Sequence, residues 1–129
     1  MVLAMVLALV AQADETMEAR AERLSWDKKT REQSLKVFEE LLQAQPGRTE
    51  LRLKYARVMS WMPSKRRQAI AEFERALKDK ENAEARLGLG GALLWEGRPW
   101  AALREADRIL SADPLYGEAL LLKAQIMEQ

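Results

Sequence analysis

The sequence predicts an all-α protein: a solenoid of about three helix-turn-helix repeats, closed by a C-terminal capping helix. Three observations predict it. First, "LSW", "MSW" and "LLW" set Trp26, Trp61 and Trp95 at intervals of 35 and then 34 residues, a period that marks one supersecondary unit stacked on copies of itself. Second, neighbours of the tryptophans recur with them. Phe38 and Phe73 each follow a Trp by 12 residues, Ala106 takes that role one residue earlier in the third copy, and the small residues Ser34, Ala69 and Ala102 stand four before. A helix that crosses closely over another needs small side chains at the crossing. Third, apolar residues recur at i, i+3, i+4 and i+7, and strand-like alternation is absent.

Taken in order, residues 1–13 of "MVLAMVLALVAQADE" are apolar and uncharged, and Ala11-Gln12-Ala13 has the small-x-small form of a signal-peptide cleavage site. Cleavage after Ala13 is expected, with a periplasmic or secreted mature protein. The alternative is an N-terminal core helix and a cytoplasmic location. The repeats follow at about 14–48, 49–82 and 83–116, with a final helix at about 115–128. Their first helices run near Glu15 to Trp26, Glu50 to Trp61 and Ala83 to Trp95. Their second helices carry Leu35, Phe38, Leu41 and Leu42, then Ala69, Ile70, Phe73, Ala76 and Leu77, then Leu103, Ala106, Ile109 and Leu110, each set forming one buried stripe. Pro63-Ser64 and Gly97-Arg98-Pro99 break the pairs internally, while Pro46-Gly47 and Asp113-Pro114 end two of them. In the last helix Leu120, Leu121 and Leu122 point in three directions, more apolar surface than a cap requires.

The chain is 129 residues long, with 21 basic and 20 acidic residues and a formal charge of +1. No long-range field exists to hold a nucleic acid. The absence of Cys and His removes thiol and imidazole chemistry and nearly all zinc sites. Gly88-x-Gly90-Gly91 follows no strand, so it is not a phosphate loop. Three glycines within a helix instead imply a close approach, by a neighbouring helix at Gly90 and by a ligand at Gly91. Glu15, Glu18 and Glu22 share a helical face. Carboxylates so placed could serve a hydrolase or a hard metal, but charged stripes are usually solvated, and neither catalytic nor metal residues are assigned. Lys65-Arg66-Arg67 reads as a solvated turn.

"EARLGLGGALLWEGRPWAALREADRILSADP", with Leu89-Gly90, Leu93, Gly97, Ala102 and Pro114 in order, resembles the tetratricopeptide repeat family of the bacterial envelope type. The second copy agrees through Tyr55-Ala56, Met59, Ala69, Phe73 and Ala76, and the first through Ser34, Phe38 and Pro46. The resemblance implies a right-handed superhelix whose first helices line a concave groove. It puts Leu53, Arg57, Ser60 and Trp61, then Glu84, Leu87, Gly91, Leu94 and Trp95, along that groove, with Glu22, Ser25 and Trp26 extending it. Alternatively, the tryptophans pack between repeats. The implied function is a non-enzymatic scaffold or adaptor of the cell envelope that binds an extended peptide of a protein partner without a cofactor. The alternative is an accessory module for exopolysaccharide export or outer-membrane assembly that contacts a polysaccharide through the tryptophans. Membrane association would come only through an uncleaved N-terminus or a partner.

Overall fold

The periodic segments fold as helices, and two of them begin at a side-chain cap. The computed structural model describes residues 2–3 and 15–128, so the signal-peptide expectation lies outside the described residues except at Val2 and Leu3. Between 15 and 128 there are seven α-helices: α1 (Met17–Ser25), α2 (Arg31–Ala44), α3 (Thr49–Ser60), α4 (Arg66–Asp79), α5 (Ala83–Trp95), α6 (Pro99–Ala112) and α7 (Gly117–Met127). No strand occurs among the described residues. No described helix is long and apolar enough to cross a membrane.

The Thr16 side chain accepts a hydrogen bond from the Ala19 amide at 3.0 Å to start α1. Asn82 does the same for Ala85 at 3.1 Å to start α5, satisfying amides that have no intrahelical partner. Pro99 opens α6, where its missing N–H leaves no bond unmade.

The chain forms two compact units that meet in sequence between Arg48 and Thr49. In the first, α1 packs on α2. Ala21 and Ser34 are fully buried at the crossing, and the Ser34 hydroxyl donates to the Ala21 carbonyl at 2.6 Å. Leu24, Leu35, Phe38, Leu41 and Leu42 complete this core.

In the second unit each helix packs on the next, and α3 touches α5 while α5 touches α7. Short links make successive helices antiparallel, so α3, α5 and α7 run in one direction. This is the packing of a helical-repeat solenoid. The small positions Ala56, Ala69 and Ala102 are fully buried, as are Met59 and Ala106, and Phe73 lies between the helices at 2% exposure. Leu77, Leu103 and Leu110 are only half-buried, so the second-helix stripes are narrower than the sequence implied. On α7, Ala119, Leu122 and Ile126 are buried, whereas Leu120 and Leu121 face outward.

Candidate functional site

On α3 and α5, residues at matching distances from the tryptophan fall on one side of the helix. Glu50, Leu53, Lys54, Arg57 and Trp61 stand at i, i+3, i+4, i+7 and i+11, and Glu84, Leu87, Gly88, Gly91 and Trp95 repeat the spacing. Because the two helices are parallel neighbours, the stripes lie side by side and line a cleft of about 510 Å³. Ala92 and Ser60 complete its walls, Phe73 of α4 lies at its base, and Tyr116 and Glu118 border it beside α7.

The floor is apolar and shaped by two glycines. A Cβ on Gly88 would stand 2.5 Å from Phe73 Cε1, so Gly88 exists to admit the phenyl ring. A Cβ on Gly91 would meet nothing within 4 Å, which leaves the α5 backbone open to the cleft. At Gly90 a Cβ would stand 2.7 Å from Leu122 Cδ2, so this glycine serves the packing of α7.

At one end of the cleft, Arg57 stands over the Trp61 ring at 5.9 Å and Arg66 over the Trp95 ring at 5.6 Å. Trp95 is 53% exposed and Trp61 is half-buried, so neither indole is enclosed between repeats. The cations lie within range of the negative ring faces.

Arg66 corrects the solvated-turn reading of Lys65-Arg66-Arg67, because its side chain is only 15% exposed. Its Nε donates to the Ser60 carbonyl at 2.9 Å, and Nη1 donates to the Trp95 carbonyl at 3.4 Å. One guanidinium thus ties the C-terminal ends of α3 and α5, where carbonyls lack intrahelical partners. In the first unit Arg31 donates to the Ser25 carbonyl at 3.0 Å in the same way. A signal for this was present in the sequence: Ser25-Trp26 and Ser60-Trp61 are each followed by Arg five residues after the Trp.

The third repeat lacks that Arg and ends its first helix differently. Gly97 adopts φ +79°, and the amides of Gly97 and Arg98 donate to the carbonyls of Leu94 at 3.0 Å and Leu93 at 2.9 Å. This is a Schellman termination, in which glycine accepts the left-handed conformation without strain.

Of the groove residues implied by the sequence, Leu53, Arg57, Ser60, Trp61, Glu84, Leu87, Gly91 and Trp95 line the cleft together. Leu94 does not. It stands two turns after Leu87 on the same side of α5 but is not among the residues that line the cleft. Glu22, Ser25 and Trp26 belong to the first unit. Trp26 is 70% exposed there, and the buried Ser25 hydroxyl donates to the Glu22 carbonyl at 2.6 Å. Glu50, Lys54, Phe73, Gly88, Ala92, Tyr116 and Glu118 also line the cleft. The stripe spacing gives Glu50, Lys54 and Gly88, whereas Phe73 and Glu118 arrive from other helices, and Tyr116 from the residue that precedes α7, by tertiary packing.

Two carboxylates of the acidic stripe, Glu15 and Glu18, are charge-paired. Glu15 pairs with Arg23 at 2.9 Å, and Glu18 pairs with Arg48 at 3.1 Å. The hydrogen bonds from Arg23 hold the Glu15 carboxyl below its ordinary value. Among the described residues no group of three or more His, Cys, Asp or Glu could hold a metal ion.

Helix pairs stacked in register beside an open cleft define the class: a helical-repeat protein. Residues 64–126 match the family profile described as tetratricopeptide repeat, and over this span the chain is similar to that family. No curated protein matches the chain. Such repeats generally mediate protein–protein interaction and are typically non-enzymatic.

Proposed function

We propose that the protein is a non-enzymatic adaptor of the cell envelope whose second-unit cleft holds an extended peptide segment of a partner. The carrying observation is the pair of matched stripes on α3 and α5, which leave the Gly91 backbone open one turn before the half-exposed indoles. An extended chain can approach such a floor closely, and recurring side chains meet recurring positions along it. Envelope placement rests on the apolar opening ending in Ala11-Gln12-Ala13. Intact-mass measurement after expression with a signal peptidase should find a mature chain beginning at Asp14, and an uncleaved product would remove that placement.

Selection of linear peptides by display on the full chain tests the cleft. Selected peptides should bind the native chain and lose binding to Gly91→Leu, whose side chain enters open space and leaves the helices intact. Undiminished binding to Gly91→Leu would remove the cleft as the site.

The same tryptophans are the basis of the polysaccharide reading, because sugar rings stack on exposed aromatic faces. One face of Trp61 and one of Trp95 already carry a guanidinium, which favours the peptide. Titration with linear glycans should leave tryptophan emission unchanged, and saturable quenching lost in Trp95→Ala would reverse this preference.

A further inference from the structure

The cleft has charge at both ends. Glu50, Glu84 and Glu118 occupy the first turns of α3, α5 and α7, and the common direction of these helices gathers all three carboxylates at one end. The tryptophans and Arg57 lie towards the other end. Among the described residues the carboxylates of Glu84 and Glu118 have no ion-pair or hydrogen-bond partner, and the Arg57 guanidinium has only the Trp61 ring, at 5.9 Å. Three cleft charges of known sign are therefore available to a ligand.

Their spacing can be measured along the helices. Arg66 reaches both the Ser60 and the Trp95 carbonyls, so α3 and α5 end level with one another. Arg57 and Gly91 each stand four residues before the tryptophan, and Glu84 stands seven before Gly91. Seven residues span about 10 Å along an α-helix, and neighbouring axes are about 8–10 Å apart. The diagonal from Arg57 to Glu84 is then about 14 Å, which an extended chain covers in about four residues. Side chains at i and i+4 of an extended chain point to the same face, so one peptide can present both charges to the cleft.

We infer that the cleft selects a dipolar peptide, one with a basic and an acidic side chain four positions apart and small or apolar residues between them. The basic side chain meets Glu84 and Glu118, the acidic one meets Arg57, and the intervening backbone lies over Gly91. This rests on the peptide reading above and adds the chemistry of the ligand to it. Complementary charges of this kind set register and partner choice more than raw affinity.

The test uses the full chain and fluorescently labelled nine-residue peptides read by anisotropy. Four sets carry Lys-x-x-x-Glu, Glu-x-x-x-Lys, Gln-x-x-x-Gln or Glu-x-x-x-Glu at their centre, with x drawn from Gly, Ala, Leu and Pro. One of the two mixed-charge sets should bind about three- to tenfold more tightly than the Gln set, the range given by two exposed ion pairs, and the advantage should fade in high salt. Glu84→Gln with Glu118→Gln should erase it. Glu84→Lys with Glu118→Lys should transfer the preference to Glu-x-x-x-Glu. All of these positions are exposed, and unchanged helical circular dichroism verifies that the variants fold. Equal binding of the Gln and mixed sets would overturn the dipolar inference while leaving the peptide cleft standing. Failure of every set to bind would overturn the peptide cleft, and this inference with it.

Discussion

Arg66 stands 5.6 Å from the centre of the Trp95 ring while its Nη1 reaches the Trp95 carbonyl at 3.4 Å. The same side chain donates to Ser60 at 2.9 Å, so the aromatic end of the cleft is built around one partly buried cation.

Arg66→Ala should therefore lower the stability of the second unit by about 2 kcal/mol, the scale of charged hydrogen bonds. Arg66→Lys should recover little of it, because an ammonium lacks the planar fork that serves two carbonyls and an indole together. Urea denaturation measures both. A loss within error for Arg66→Ala would show that water replaces the guanidinium at no cost.

Two glycines one turn apart should respond with opposite signs. Gly91→Ala adds a methyl group to open space, and the gain in helix propensity should stabilise the protein by about 0.5–1 kcal/mol. Gly88→Ala drives a methyl group into the Phe73 ring, which neighbouring helices enclose, and overpacking of this kind costs about 1–3 kcal/mol. Chemical denaturation of the two variants side by side should separate them, and stabilisation by both would mean that the ring moves aside freely.

Gly97→Ala should cost about 1–2 kcal/mol, since φ +79° brings the Cβ of an L-residue close to a backbone carbonyl. Gly97→Asn should cost less, because Asn tolerates that region. Thermal melts of the pair give the comparison, and equal melting temperatures for Gly97→Ala and the native chain would contradict the Schellman geometry.

Arg86 of α5 donates to both oxygens of Glu81, at 2.6 Å from Nη2, and to Glu105 of α6 at 2.7 Å. The hydrogen bonds from Arg86 hold the Glu81 carboxyl below its ordinary value of 4.5. A lowered folded-state value means that the contribution is fully present above pH 4.5 and is lost as pH falls through the folded-state value. Stability should therefore be flat near neutrality and decline in acid, and Glu81→Gln should make the acid limb shallower. Glu81 is well exposed, so the limb is shallow even in the native chain. Urea midpoints measured across the acid range supply the test, and an identical acid limb in Glu81→Gln would exclude this pair from it.

Much of the cleft was legible before folding because repeats convert spacing into geometry. Leu53, Arg57, Trp61, Glu84, Leu87, Gly91 and Trp95 hold equivalent positions relative to the tryptophans, and parallel neighbouring helices place equivalent positions on one wall. Arg66 was misread because a basic tripeptide at a turn looks solvated until a carbonyl acceptor and a ring are brought beside it.

By itself the sequence determined the helices, their breaks and the small residues at the crossings, since these follow from local conformational preference and a repeated steric need. The tertiary structure alone decided that Phe73 reaches the cleft floor through Gly88, that Tyr116 and Glu118 arrive from the start of the last helix and the residue before it, and that Arg66 joins the ends of two helices. Those contacts join residues distant along the chain, and their distances depend on how helices cross, which no local period encodes.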